Sequence, residues 1–197
     1  MKKIKIFTIL ICIITILSGC SLFKEKPKDN IKNNQINIDD NTNALVLYFS
    51  ATNNTEKIAQ YIANINNLDI VKIMPEEEYT EADLNYDDEN CRANKEQNND
   101  RSRPQIQNKL ELDNYDVIYL GYPIWWGKEP KIILTLLDNY NLEGKTIIPF
   151  CTSGGSGIET SVYNLRKYNN KLNILDGKTF SANSSKEDVE KWLENYN

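Results

Sequence analysis

Histidine does not occur anywhere in the 197 residues of this chain. Its absence excludes the Ser-His-Asp and Cys-His nucleophile systems, the HExxH zinc helix and any imidazole general base. Chemistry here must come from a bound cofactor or from a carboxylate, lysine, tyrosine or cysteine. There is no GxxxxGK[ST] stretch, which argues against a nucleoside triphosphate held with Mg²⁺, and no GxGxxG, which argues against a dinucleotide of the Rossmann kind. Cysteine is scarce. Of the four cysteines, only Cys91 and Cys151 lie beyond residue 20, too few for an iron–sulfur cluster or a structural zinc. They can form a disulfide if they meet in space, or stand as two small, partly buried thiols. A long apolar run is missing too: the stretch at 6–17 is too short to span a bilayer.

That short stretch follows a basic head of Lys2, Lys3 and Lys5 and is followed by Leu17-Ser18-Gly19-Cys20. The arrangement reads as a secretory signal over residues 1–20. It resembles the bacterial lipobox, in which the cysteine is lipidated, so Cys20 is the expected anchor to the extracytoplasmic face of the cell membrane. Residues 21–43 are rich in Lys, Asn and Asp and read as a disordered polar tether. Removal of the signal takes three lysines from a formal net charge of −5 and leaves −8. An acidic mature chain argues against nucleic acid as a partner, because phosphate backbones call for a basic surface.

From residue 44 the pattern changes. Residues 44–49 are continuously apolar, as expected for a strand covered on both faces. "SATNNT" then leads into residues 56–65, where Ile58, Ala59, Ile62, Ala63 and Ile65 recur at helical spacing. Residues 68–74 predict a second strand, stopped by Pro75. A long connection covers 76–104. Its first part, 76–89, holds eight acids and no base; 82–97 reads as helical and 98–104 as turn. Residues 115–121 predict a third strand, followed by "GYPIWWG". Pro130 opens a helix with Ile132, Ile133, Leu136 and Leu137 as its buried stripe. Residues 145–151 predict a fourth strand, followed by "TSGGSG". Ser156 and Glu159 have capping-box spacing, ahead of a helix carrying Ile158, Val162 and Leu165. Residues 172–180 predict a fifth strand, with a break at Asp176-Gly177. Ser184 and Glu187 form a second capping-box pair before Val189, Trp192, Leu193 and Tyr196. Strands alternating with helices predict an α/β domain over 44–197, a three-layer α/β/α sandwich around a parallel sheet. Such sheets bind ligands at the C-terminal ends of their strands. The three unusual loops each follow a strand, so they share one edge.

"SATNNT" places hydroxyls (Ser50, Thr52, Thr55) and amides (Asn53, Asn54) at the positive end of a helix dipole. Neutral donors of this kind fit a single terminal phosphate; the same residues also read as a helix cap. Trp125 and Trp126 at a strand end make an apolar wall for a planar heterocycle, or fill the core and cover a helix. "TSGGSG" lets backbone N–H groups approach a ligand closely, or is a flexible turn. Together the three describe one molecule, flavin mononucleotide (FMN).

On these motifs the chain resembles the flavodoxin family, and within it short flavodoxin-like proteins with a Pro-Ile-Trp-Trp-Gly turn. The resemblance spans about residues 44–197. It is strongest at the three loops and in "LEGKTIIPF", and weakest over 76–104. It implies a five-stranded parallel sheet of order 2-1-3-4-5 with FMN at the switch point. By position, Ser50, Thr52, Asn53, Asn54 and Thr55 would hold the phosphate. Pro123, Ile124, Trp125, Trp126 and Gly127 would line the isoalloxazine, and Thr152, Ser153, Gly154, Gly155 and Ser156 would cover its other edge. The family usually has Gly where this chain has Asn53, the next-best residue for a left-handed turn. Electron-carrier flavodoxins commonly stack a tyrosine after strand four, but "CTSGGSGIE" has no aromatic residue, so one flavin face is expected to be open.

Three readings follow. The first is an extracytoplasmic electron-transfer protein on a lipid anchor, working with a redox partner protein or a small-molecule donor or acceptor. The second is an FMN-dependent NAD(P)H/quinone-type oxidoreductase that uses the open face. The third is a surface binding module without redox activity. No residue has to act as a general acid. Tyr122, Glu129 and Glu159 lie near the site loops, either as candidates for that role or as packing and surface residues. The acids at 76–89 either steer a basic redox partner or form a solvated face.

Overall fold

The computed structural model describes residues 42–196. The signal at 1–20 with its lipobox Cys20, and all but the last two residues of the tether at 21–43, lie outside the described residues. The apolar run at the start of the domain forms β1 (Ala44–Tyr48), with all five residues buried. It is central because it is apolar on both faces. Leu45, Leu47 and Phe49 join one hydrophobic cluster, while Ala44, Val46 and Tyr48 join the other. β1 pairs in parallel with β2 (Asp69–Lys72) through Val46 and Ile70, and with β3 (Val117–Pro123) through Val46 and Tyr119. β3 pairs with β4 (Thr146–Thr152), Leu120 opposite Pro149. The order is β2-β1-β3-β4 followed by a fifth strand, the predicted 2-1-3-4-5.

The fifth strand comes in two pieces, β5 (Asn173–Ile174) and β6 (Lys178–Phe180), both paired with β4. The break has a cause in β4. The Ile147 carbonyl accepts from the Leu175 N–H, and the Ser153 N–H donates to the Phe180 carbonyl. Alternate residues of β4 therefore point their polar groups toward the fifth strand, and Pro149 is one of them. Lacking an N–H, it offers no donor there. Gly177 crosses at this point, where an added Cβ would lie 2.8 Å from the Pro149 carbonyl oxygen.

Helices cover both faces. α1 (Asn54–Asn66) and α5 (Lys186–Leu193) bury Ile58, Ile62, Val189 and Trp192 on the side of Val46 and Tyr119. α3 (Lys131–Asn139) and α4 (Glu159–Tyr168) bury Ile132, Ile133, Leu136, Val162 and Leu165 on the side of Leu45 and Leu120. Between β2 and β3 the single helix expected over 82–97 is replaced by a 3₁₀ turn (Ala82–Leu84) and a short α2 (Arg92–Gln97).

Both predicted capping boxes need correction. α4 starts at Glu159 behind Ile158, with no side-chain cap. The Ile158 N–H is taken by Thr179 Oγ1 at 2.9 Å, so Ser156 has no capping role. At α5 the box forms one residue later, between Ser185 and Asp188. The Ser184 hydroxyl is already engaged, accepting from the Ser181 N–H at 3.0 Å.

Candidate functional site

The loop after β1 turns into α1 through Asn53, whose backbone is left-handed at φ 62°. Asparagine tolerates that conformation because its short amide bonds locally, as its residue type implied. No side chain caps the start of α1, which leaves the first-turn N–H groups for a ligand at the positive end of the helix dipole. Asn54 Nδ2 donates to Thr52 Oγ1 at 3.2 Å, holding both side chains at the loop surface. Thr55 is buried, and its hydroxyl lies 2.7 Å from that of Thr152 at the end of β4. The first and third loops are thus joined directly.

The second loop is a tight hairpin. Trp125 and Lys128 exchange both backbone hydrogen bonds, at 2.9 and 3.0 Å, around Trp126 at φ 48° and Gly127 at φ 74°. Two consecutive positive φ values define a type I′ turn. Glycine suits the second corner; an indole at the first is strained. The two tryptophans have different surroundings. Trp125 is 4% exposed and packs edge-on against Phe49 and Tyr79, with ring centroids 5.7 and 5.2 Å away. Trp126 is 45% exposed and meets Tyr86 edge-on at 4.7 Å. From below, Gln97 Nε2 of α2 donates to the carbonyls of Trp125 and Glu129, each at 3.1 Å, so one amide holds both ends of the hairpin.

Between the three loops lies a cavity of about 580 Å³, a volume typical of small-molecule sites. Of the residues expected from the sequence, Thr52, Asn54, Pro123, Ile124, Trp125, Thr152, Ser153 and Gly154 line it. Ser50 and Asn53 face a smaller neighbouring cavity of about 160 Å³ on the far side of the same loop. Thr55, Trp126, Gly127, Gly155 and Ser156 do not line the large cavity. Thr55 braces Thr152, Trp126 and Gly127 shape the hairpin, and Gly155 donates its N–H to Ser153 Oγ at 3.2 Å. Tyr86, Ser181, Ala182 and Asn183 line the cavity without having been singled out. The last three follow β6, so the strand-end rule applied to the fifth strand would have found them. Lys57 of α1 reaches across to the Ala182 carbonyl at 2.9 Å. Tyr86 comes from the irregular stretch before α2 and places one aromatic ring on the cavity wall, although the loop after β4 has none.

The titratable groups near the loops are mostly packed away. Tyr122 is fully buried, its oxygen accepts from Ser161 Oγ at 3.0 Å, and burial pushes the phenol well above its usual range. Glu129 is buried with Oε2 unpartnered. Burial raises its carboxyl, against smaller lowering effects from Ser161, Lys131 and Asn164. Glu159 is exposed, and its carboxylate folds over Gly157. Cys91 and Cys151 are both free and buried. Cys91 accepts the Asn94 N–H at the start of α2, and burial pushes the Cys151 thiol up to about 12.

Comparison with known proteins agrees with this fold. The flavodoxin family model matches residues 43–196. A protein of Bacteroides eggerthii assigned as a flavoprotein is 38% identical with a TM-score of 0.75, covering 79% of this chain and 98% of its own. A similar protein of Bacteroides uniformis is 37% identical with a TM-score of 0.75, covering 78% and 98%. A flavoprotein of Lactobacillus acidophilus, solved in complex with FMN, is 27% identical with a TM-score of 0.59, covering 77% and 98%. No curated protein matches. Fold and family match agree, and this chain belongs to the flavodoxin family.

Proposed function

We propose that this protein binds FMN in the strand-end cavity and transfers electrons at the extracytoplasmic face of a membrane, anchored through Cys20. The observation that carries the cofactor reading is the uncapped start of α1 opening toward a cavity of about 580 Å³. A phosphate monoester needs donors without a competing carboxylate. Thr52 and Asn54 at that end of the cavity provide neutral donors, and the first-turn N–H groups add to them. A planar ring needs apolar walls, and Pro123, Ile124, Trp125 and Tyr86 supply them. The solved Lactobacillus relative with FMN supports the same ligand.

When bound, FMN supplies the electron-transfer chemistry. The chain's own residues hold and shield it. The Thr55–Thr152 bond keeps the phosphate end and the glycine-rich wall at fixed separation. Gln97 fixes the hairpin backbone. The side chain of Trp125 belongs to the core and so holds the hairpin against the sheet. With Tyr122 and Glu129 buried and Glu159 folded back on its own loop, proton exchange at the cavity takes place with solvent.

The acids at 76–89 surround Tyr86 at the cavity rim in sequence, and most of them are exposed. They support a basic redox partner drawn in by charge. The NAD(P)H/quinone reading is the alternative, and the exposed cavity rim at Tyr86 favours it. Purified protein that carries flavin absorbance, releases FMN on denaturation and exchanges electrons with a redox protein supports the proposal. Steady NAD(P)H oxidation with a quinone acceptor transfers the assignment to the second reading. A colourless protein that takes up no added FMN contradicts both.

A further inference from the structure

Tyr86 is half in solvent at 51% exposure, yet it lines the cavity and packs edge-on against Trp126 at 4.7 Å and 88°. Its position does not come from the hydrophobic core. It comes from α2. Asn94, itself buried, donates its side-chain amide to the carbonyl of Tyr86 at 3.3 Å and to that of Asp88 at 2.7 Å. One turn further along the same helix, Gln97 holds the carbonyls of Trp125 and Glu129. Residues three apart lie on one helix face. A single face of α2 thus holds the backbone that carries Tyr86 and the hairpin that carries Trp125 and Trp126. The start of this helix is closed in turn by Cys91 Sγ, which accepts the Asn94 N–H at 3.4 Å.

We propose that Tyr86 is a ring-contacting residue of the flavin site, extending its aromatic wall beside the tryptophan hairpin, and that Asn94 and Gln97 are positioning residues that set its separation from that hairpin. This rests on the FMN reading above. The exposed edge of Tyr86 then decides which planar molecules reach the ring of the cofactor. That makes the acidic segment a specificity element as well as a surface.

The test is a titration of the full chain with FMN and, separately, with riboflavin, read by flavin fluorescence, for wild type, Y86A, Y86F and N94D. A nearby electron-rich ring quenches flavin emission. Y86A is expected to leave bound flavin brighter and to weaken FMN and riboflavin by the same factor, about 2- to 10-fold for the loss of one aromatic contact. Y86F is expected to restore the affinity. N94D keeps the side-chain volume but loses the donors to Tyr86 and Asp88, and is expected to brighten bound flavin with Tyr86 still present. Tyr86 is exposed, so Y86A folds whether or not N94D does. Y86A with wild-type brightness and wild-type affinity for both ligands overturns the proposal. A wild-type protein that binds neither ligand overturns the FMN reading itself, and is told apart by the absence of any titration.

Discussion

Thr55 and Thr152 share a buried hydroxyl–hydroxyl bond of 2.7 Å across 97 residues of sequence. It closes the site by joining the start of α1 to the end of β4. Replacing either one with valine keeps the shape but leaves the other hydroxyl buried and unpaired, a cost of about 1–3 kcal/mol. Replacing both removes the orphan. Urea denaturation of T55V, T152V and the double variant should therefore show the double costing less than the two singles summed. Each single change should also weaken FMN, because the two loops it binds between lose their tie.

Two glycines are expected to resist substitution for different reasons. A Cβ at Gly121 would lie 2.2 Å from Phe150 Cζ, where the ring crosses the β3 backbone. G121A forces the core apart and should cost about 1–3 kcal/mol. At Gly127 an added Cβ meets nothing within 4 Å, but the backbone sits at φ 74°. G127A should cost about 1–2 kcal/mol, entirely from the left-handed backbone. Phe150→Leu should relieve part of the first penalty and none of the second, measured by thermal unfolding.

Glu129 gives the stability a defined pH dependence. Its carboxyl is raised above the ordinary value of 4.5, chiefly by burial. The native state therefore holds this proton at pH values where the unfolded chain has released it. Its contribution to stability is fully present below 4.5 and is lost as pH rises through the native value. E129Q removes the titration. Its melting temperature relative to wild type should rise between acidic and mildly alkaline pH. A difference that stays constant, or falls, over that range contradicts the assignment.

The cysteines of the domain should be silent in the native state. Cys91 and Cys151 are both buried, and the Cys151 thiol is pushed up to about 12. The thiolate is the reactive form, so an alkylating reagent at neutral pH should modify both only after unfolding, as mapped by peptide mass. Modification of Cys151 in the folded protein would contradict its placement.

The fold was legible because burial on both faces leaves a plain mark. Leu45 and Leu47 enter one layer and Val46 and Tyr48 the other, so β1 shows as one unbroken apolar run. Asn53 was legible through the family resemblance, which puts a glycine there, together with asparagine's tolerance of a left-handed backbone. The fates of the two tryptophans were not. Adjacent indoles look alike in sequence, and only the hairpin's positive φ at Trp126 sends one inward and the other out. The capping boxes misled because serine hydroxyls have several partners in reach; Ser184 takes its own turn and leaves the cap to Ser185. Tyr86 carried no signal. It lies in a stretch that reads as helix but folds as an irregular turn, placed by hydrogen bonds from Asn94 that depend on the finished fold.

The most direct test of the account is equilibrium titration of the flavin-free protein with FMN and riboflavin side by side. The account predicts a single equivalent of FMN bound with quenched fluorescence. Riboflavin should bind more weakly because it lacks the phosphate, and T52A should weaken FMN while leaving riboflavin unchanged. Equal affinity for the two ligands in the wild type, or no saturable binding of either, would contradict it.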